Sequence, residues 1–361
     1  MIAEGEKSDT EFEVDPNAMR AARSAKELAR DMTDEDYGVA VPARRIPFPA
    51  SISAEARAKL EQLVGADGVP LNSLHTMPLP GDHPGWKAVK AAAEGQYAAA
   101  VRGLAGTLRS QVATIHTNGA TIHVATPETI SYPECAYIDF HGGALVFGGG
   151  DACIAQTRMQ ADQHGVLCYG VDYRTPPEDP YPAALDDAMT AYRYVLERHA
   201  PKRILVSGRS AGGNLAAAML LRAREEALPM PAGLMLLSPQ ADLTESGDSF
   251  QVNQLVDVIL PGSLMRNNQL YAADAELSHP YLSPLFGDLT GFPPSFLQSG
   301  TRDLFLSNTV RMHRALRQAG VPADLHVFEA MPHGGFMGNT PEDRDLAVEV
   351  TRFARACWEG E

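Results

Sequence analysis

The sequence is poor in cysteine and has no long apolar run. Its cysteines number only four, at Cys135, Cys153, Cys168 and Cys357. They lie far apart without a C-x-x-C pair, which favours free thiols over a disulfide framework or a zinc site. No apolar stretch approaches the roughly 20 residues that cross a bilayer. The acidic N-terminus also lacks the apolar core of a secretory signal.

Basic residues are scarce as well, because 30 lysines and arginines face 45 acidic residues and the formal net charge is −15. Nucleic acid and anionic membrane surfaces both require basic patches, so neither is expected as a partner. Metal-binding patterns such as H-E-x-x-H are lacking too, and we expect no metal. A soluble cytoplasmic protein is the expectation from these features.

The first part of the chain has helical rather than strand patterns. Residues 1–14 are acidic with few apolar anchors, and we expect a disordered tail there. Over residues 15–110, Asp15-Pro16 resembles a helix start and Ser53 can cap a second helix. Apolar residues between Trp86 and Leu108 recur every three or four positions, which predicts a third helix. This segment is therefore predicted to be a helical cap.

Residues 111–361 instead alternate between predicted strands and helices. Asn118-Gly119 between two alternating runs predicts a β-hairpin. Further strands are predicted at Ala136–Phe140, Val166–Tyr173, Arg203–Ser207, Leu234–Leu237, Ser295–Ser299 and Leu325–Glu329. Helices are predicted at Pro182–Arg198, Ala211–Glu226, Leu306–Gln318 and Asp343–Cys357. The pattern is typical of an α/β fold with a mostly parallel eight-stranded sheet flanked by helices.

A long insertion interrupts this alternation between two strands. Residues 243–292 carry a predicted helix only near 262–274, and Asp242 and Asp257 in this region are interpreted as structural. An insertion after the carboxyl end of a strand lies above the active edge of a parallel sheet. We therefore expect a second cap segment at about 243–278.

The strongest chemical signal is the stretch from Lys202 to Leu215. An apolar run leads into Gly-Arg-Ser-Ala-Gly-Gly, and an Ala/Leu-rich helical segment follows directly. This is the strand–turn–helix context of a G-x-S-x-G nucleophile elbow, with Ser210 at its tip. A serine hydroxyl needs a base, an orienting acid and donors for the oxyanion before it can act as a nucleophile.

The remaining members are predicted from loops that follow strands. Asp303 follows one predicted strand and His333 follows the next, and the order Ser, Asp, His is the one found in α/β-hydrolases. Taken alone, either residue is equally well a solvated charge or a core histidine, but the joint pattern favours a catalytic triad. The glycine-rich loop after Ala136–Phe140 supplies candidate oxyanion donors; with the residue after the nucleophile, these are Gly142, Gly143, Ala144 and Ala211. His141 is expected to pack and hydrogen-bond within that loop, and Gly148-Gly149-Gly150 is interpreted as a flexible loop rather than a phosphate cradle.

These motifs together resemble the bacterial hormone-sensitive-lipase-like family (family IV esterases and lipases) of the α/β-hydrolases. The matching stretches span about 200 residues in the family's order: HGGA at 141–144, DYRTPPEDPYPAALDD at 172–187, GRSAGGNLA at 208–216, LSPQADLT at 237–244, GTRDL at 300–304 and MPHGGF at 331–336. The resemblance implies an α/β-hydrolase fold, hydrolysis of carboxylic esters through an acyl-enzyme, and no cofactor. It implies Ser210 as nucleophile, His333 as base and Asp303 as orienting acid. A cap and a homodimer are also compatible with it.

Three positions depart from the family pattern. Ala144 stands where a third glycine is usual, and its N–H remains available if the backbone dihedral suits alanine. Arg209 replaces the usual Asp or Thr before the nucleophile. It is interpreted either as an ion pair with a neighbouring carboxylate or as a group that holds an anionic substrate or a cap acid. The extra glycine after His333 loosens the loop of the base.

We therefore expect a serine carboxylesterase that acts on small to medium uncharged esters. A lactone, carbamate or amide hydrolase with the same triad is one alternative, because the triad serves all acyl transfers. A ligand-binding protein without turnover is the other, although such a protein need not retain all three residues.

Overall fold

The computed structural model describes residues 38–360 apart from 40, 75, 105 and 261. The predicted tail (residues 1–14) and the helix expected at Asp15-Pro16 therefore lie outside the described residues. Internal contacts divide the chain into residues 1–46 and residues 47–361. The described residues of the first unit form neither helix nor strand. In the described part of the chain, no helix is long and apolar enough to span a membrane.

The second unit is built on one eight-stranded sheet. Its strands are β1 (Gln111–Thr117), β2 (Ala120–Thr126), β3 (Ala136–Phe140), β4 (Leu167–Asp172), β5 (Ile204–Arg209), β6 (Gly233–Leu237), β7 (Ser295–Gly300) and β8 (Ala323–Phe328). They lie in the order β1-β2-β4-β3-β5-β6-β7-β8. The hairpin β1–β2 is antiparallel and β2 pairs antiparallel with β4, while the remaining pairs are parallel. The predicted mostly parallel sheet is confirmed.

The described residues form nine α-helices. They are α1 (Ala54–Gln62), α2 (His83–Leu104), α3 (Asp151–His164), α4 (Ala183–Leu196), α5 (Ala211–Glu225), α6 (Ser249–Val252), α7 (Met265–Ala272), α8 (Leu306–Gln318) and α9 (Pro341–Glu359). The six strands and four of the five helices predicted from residue 136 onward are present with ends that differ by no more than two residues. The fifth, expected near 262–274, is α7, which begins three residues later, and the short helix α6 in the insertion is not among those predicted. The sequence patterns did not predict α3, which connects β3 to β4.

The sheet alternates its side chains between two apolar layers, as the period of two in a strand requires. Ile138 and Val206 point into the larger core, which α4, α5 and α8 cover. Tyr137 and Leu205 point to the opposite face, where α3 and α9 pack. Two covered faces explain why the parallel strands are almost continuously apolar. They also hold the carboxyl ends of β3, β5, β7 and β8 at one edge.

Helices α1 and α2 pack on this scaffold. Ser53 caps α1, accepting a hydrogen bond from Ala56 N at 3.0 Å, and its own N–H and hydroxyl donate to Glu342 at 2.7 and 2.8 Å. Trp86 in α2 is fully buried against Val146. These contacts anchor both helices beside the edge that carries the candidate site.

Candidate active site

Ser210 lies at the tip of the tight turn between β5 and α5. Its backbone has φ 57° and ψ −121°, a strained conformation that exposes the side chain at the sheet edge. Glycine is required on both sides of the turn. A Cβ on Gly208 would lie 2.1 Å from the Gly212 carbonyl oxygen, and one on Gly212 would lie 1.9 Å from that of Phe140. The G-x-S-x-G pattern therefore reflects close backbone packing.

The structure brings Ser210, His333 and Asp303 together in one hydrogen-bonded line. His333 Nε2 lies 2.9 Å from Ser210 Oγ, and His333 Nδ1 lies 2.9 Å from Asp303 Oδ1. Ser210, Asp303 and His333 follow β5, β7 and β8, respectively. His333 is 123 residues from Ser210 and 30 residues from Asp303 in the sequence, yet the three side chains meet at one edge of the sheet. This is the geometry in which a neutral histidine can take a proton from a serine.

Asp303 is held as a carboxylate although it is fully buried. Burial acts to raise its pKa, but the charge of His333 and three hydrogen bonds outweigh that effect and hold the pKa of Asp303 below its usual value. Besides the bond from His333, Ser299 Oγ donates to Asp303 Oδ2 at 2.7 Å and Phe305 N donates to Oδ1 at 2.9 Å. A carboxylate with these donors can orient the imidazole ring and stabilise the imidazolium that forms in catalysis.

The glycine-rich loop after β3 passes directly beside the nucleophile. An added Cβ on Gly142 would lie 3.4 Å from the Ser210 Cβ, and one on Gly143 would lie 2.2 Å from the Phe147 carbonyl oxygen. Ala144 has φ 51°, a left-handed conformation that costs an alanine about 1 kcal/mol. The backbone N–H groups of Gly143, Ala144 and Ala211 donate to no acceptor in the described part of the chain. They are free to bind an oxyanion.

His141 and Gly148 shape this loop from opposite sides. The His141 ring stacks on Tyr173 at 4.0 Å, and its Nδ1 donates to the Gly142 carbonyl at 2.8 Å. Burial lowers the pKa of His141, so the ring is neutral at pH 7. An added Cβ on Gly148 would lie 2.3 Å from the Gly142 carbonyl oxygen, and Gly150 caps α3. An added Cβ on Gly149 would lie 2.7 Å from Asp172 Oδ1, whereas one on Gly150 would meet no atom within 4 Å. Close packing therefore requires glycine at the first two positions, and the interpretation of the segment as a flexible loop stays a prediction.

Above the triad is a cavity of about 660 Å³ that contains Ser210 and His333 in its wall. Segments before β1 and after β6 both contribute apolar side chains to it, namely Met77, Val101, Ile259, Leu260 and Leu264. On the α3 side the wall is mixed, and Gln156, Gln160 and Gln163 alternate there with Ala152, Ala155 and Met159. Trp86 does not line this cavity, because its side chain is buried beneath the helices.

Arg209 bonds the loop that carries His333. Its Nη1 donates to the Gly334 carbonyl oxygen at 2.8 Å, one residue after His333. No ion pair within 4.0 Å in the described part of the chain includes Arg209, so the expected ion pair is not formed. Burial lowers the pKa of Arg209, and the charge of Asp139, one strand away, acts most strongly against this effect. Burial also raises the pKa of Asp139 to about 6, although a hydrogen bond from Gln156 acts to lower it.

Replacing Arg209 with methionine is expected to lower kcat about 10-fold, which corresponds to about 1.4 kcal/mol in the activation barrier. Methionine keeps the length of the side chain but leaves the Gly334 carbonyl without its donor, so the loop of His333 loses a fixed point. Steady-state kinetics on a neutral aryl ester measures the effect, and KM should change by less than about 3-fold.

Arg158→Met is the matched control for that variant, because Arg158 also donates to backbone carbonyls, those of Leu108 and Ser110, but away from the triad. It should leave kcat unchanged. An Arg209→Met enzyme with normal kcat on neutral esters, and reduced kcat/KM only on carboxylate-bearing ones, would instead support a role in holding an anionic substrate.

Asp257 is a residue of the site that the sequence interpretation treated only as structural. Burial and the charge of Asp303 raise the pKa of Asp257 to about 6, although His333 and backbone N–H groups act against them. The side-chain atoms of Asp257, Asp303 and His333 that could bind a metal ion lie within 4.8 Å of one another. The same holds for a second group, His123, Cys153 and Asp172, in which Asp172 accepts a hydrogen bond from Gly150 N. Hydrogen bonds join His333 to Asp303 and His123 to Asp172 within these groups.

Comparison with known proteins identifies hydrolases among those similar to this chain. The sequence profile of the family described as alpha/beta hydrolase fold matches residues 137–337. An acetyl-hydrolase of Streptomyces hygroscopicus is 34% identical over 195 residues, which are 54% of this chain and 65% of that relative. An esterase of Acinetobacter venetianus is 34% identical over 219 residues, or 59% of this chain and 72% of that relative.

Solved structures extend the similarity to most of the chain. The esterase E25 superposes with a TM-score of 0.81 at 32% identity and covers 88% of this chain and 98% of its own. A hormone-sensitive lipase from a metagenome library superposes with a TM-score of 0.69 at 28% identity over 84% of this chain. The chain therefore belongs to the hormone-sensitive-lipase-like family of α/β-hydrolases, and it is a carboxylic-ester hydrolase on that fold.

Proposed function

We propose that the protein is a serine carboxylesterase that hydrolyses small to medium uncharged esters through an acyl-enzyme. The observation that carries the proposal is the line of hydrogen bonds from Ser210 Oγ through His333 to Asp303. A cavity of about 660 Å³ with apolar walls from two helical segments suits an uncharged ester of modest size. We propose that residues 15–110 and about 243–278 act as its cap.

In the proposed mechanism, Ser210 Oγ attacks the ester carbonyl carbon while His333 Nε2 takes the hydroxyl proton. The negative charge that develops on the carbonyl oxygen accepts hydrogen bonds from N–H groups of the glycine loop (Gly142, Gly143 or Ala144) and of Ala211. His333 then returns the proton to the leaving alcohol, and the acyl group remains on Ser210. Water activated by His333 attacks this acyl-enzyme and releases the acid.

Labelling by a serine-directed organophosphate tests the proposal. We expect stoichiometric modification, loss of hydrolysis of a short-chain aryl ester at the same rate, and an adduct on the peptide that contains Ser210. Hydrolysis that persists in fully modified enzyme would refute the assignment. A panel of esters with graded acyl length, together with a lactone, a carbamate and an amide, distinguishes ester hydrolysis from the other acyl transfers that the triad can perform.

A further inference from the structure

The insertion after β6 wraps around the loop that carries the acid of the triad. Ser249 Oγ donates to the Leu304 carbonyl oxygen at 2.6 Å. Asn253 Nδ2 donates to the carbonyl oxygens of Thr301 and Asp303 at 3.2 and 2.9 Å. Backbone groups on both sides of the acid are thus bonded to side chains of the insertion.

Asp257, deeper in the same insertion, connects this loop to the loop of the base. It is 1% exposed. Its Oδ2 accepts from Leu304 N at 2.7 Å, and its Oδ1 accepts a longer bond from His333 N at 3.4 Å. Oδ1 also accepts from Ile259 N at 3.0 Å and Leu260 N at 3.3 Å. One buried carboxylate therefore satisfies four backbone N–H groups from three segments.

The side chains of Ile259 and Leu260 line the cavity above Ser210. We propose that Asp257 is a positioning residue that couples this wall of the substrate pocket to the two loops holding Asp303 and His333. An acyl chain that packs against Ile259 and Leu260 holds the backbone of these two residues in place. Because their N–H groups bond Asp257, and Asp257 bonds Leu304 N and His333 N, the backbone of both loops is held as well. This inference rests on the proposed esterase function and adds a route by which the substrate improves the geometry of the triad.

The chemistry of the contacts explains why a carboxylate is needed there. All four partners of Asp257 are donors, and a carboxylate offers only acceptors, whereas an asparagine would turn an NH₂ group toward at least one N–H. Asp257 bonds the backbone of His333 rather than its ring. It therefore positions the base and does not replace Asp303 as the acid of the triad.

The test compares Asp257→Asn with a matched control, Asp242→Asn. Asp242 is also a fully buried carboxylate near the start of the insertion, but it binds Thr244, Ser246 and Arg311 and does not contact the triad loops. On a hexanoyl aryl ester, Asp257→Asn is expected to lower kcat about 10-fold or more with KM changed by less than about 3-fold. Asp242→Asn should keep kcat within about 2-fold of the parent enzyme.

A second variant tests the coupling without altering the carboxylate. Ile259→Ala is expected to lower kcat about 5-fold on the hexanoyl ester and by a smaller factor on the acetyl ester, because a shorter acyl group offers less surface for contact with this wall. In an Asp257→Asn background the same substitution should change kcat by less than about 1.5-fold. This second variant keeps the inference testable if Asp257→Asn does not fold.

A normal kcat in Asp257→Asn would overturn the inference, and so would an Ile259→Ala variant whose kcat on the hexanoyl ester is unchanged while KM rises. Equal effects of Ile259→Ala in both backgrounds would also overturn it. Organophosphate labelling separates these failures from a failure of the proposed function. If Ser210 is not the nucleophile, the parent enzyme itself forms no adduct there; if only the coupling is wrong, the adduct forms normally.

Discussion

Replacement of Ser210 by alanine is expected to lower kcat about 10⁴- to 10⁶-fold on a short-chain aryl ester. Alanine removes the only atom that can form the acyl bond, while the oxyanion donors and the cavity stay in place. KM should therefore change little. The remaining rate measures what binding and the free N–H groups achieve without a nucleophile. Steady-state kinetics at high enzyme concentration gives this residual rate.

Ser207→Ala is the matched control for that experiment. Ser207 is a buried serine on β5, three residues before Ser210. It does not belong to the line of hydrogen bonds that joins Ser210 to His333. The control should keep kcat within about 3-fold of the parent enzyme. If Ser210→Ala retained a tenth of the parent activity, the serine mechanism would be wrong.

The arrangement of the sheet could be predicted because each buried strand leaves a local apolar run between turn residues. The missed helix, α3, has no such signal. Its buried residues include Cys153, Thr157, Ala161 and His164, which are small or polar and do not form an apolar stripe. This helix closely approaches the sheet at Gly170, where an added Cβ would lie 1.8 Å from Thr157 Oγ1. Small residues permit that packing but cannot be recognised from periodicity.

Candidate site residues could be predicted where chain order carries the information. Asp303 alone resembles any loop carboxylate, and only its place between the elbow and His333 singled it out. The bond from Arg209 to Gly334 joins positions 125 residues apart, and no local pattern encodes it. For the same reason the sequence indicates only a structural role for Asp257, because its partners are backbone N–H groups of segments that meet only in the folded chain.

Arg209 and the additional glycine after His333 are two departures from the family pattern, and Arg209 bonds the first residue of the Gly334-Gly335 pair. Gly334 and Gly335 have φ of 77° and 103°, conformations that favour glycine and leave the loop little intrinsic stiffness. The guanidinium fixes the carbonyl at one end of this pair, and Asp343 accepts from Phe336 N and Gly338 N at the other. The arginine thus restrains the loop that the additional glycine loosens.

Asp303→Asn is expected to lower kcat about 10⁴-fold while leaving KM within a few-fold of the parent value. The reason is the tautomer of His333. Asp303 Oδ1 accepts from Nδ1–H, which leaves the lone pair on Nε2 to take the proton of Ser210. His333 Nδ1 and Phe305 N both bond Oδ1, whereas Ser299 bonds Oδ2, so an asparagine that keeps its oxygen toward Ser299 turns its NH₂ group toward His333 Nδ1 and disfavours a proton there. A ring that instead carries its proton on Nε2 donates to Ser210 and cannot act as its base.

The same substitution tests whether a neighbouring carboxylate can replace the acid. Asp257 lies within 4.8 Å of the pair, but its oxygens are bonded to backbone N–H groups of Leu304, Ile259 and Leu260. It can orient the ring of His333 only by giving up those bonds, so we expect no rescue in Asp303→Asn and no further loss of kcat in the double variant with Asp257→Asn. A residual activity above about 1% that disappears in the double variant would show that Asp257 acts as a second acid. Equal residual rates in Asp303→Asn and in the double variant mean that Asp303 alone orients the ring of His333. Asp257 acts only by holding the loops, so its loss has no further effect once His333 carries its proton on Nε2.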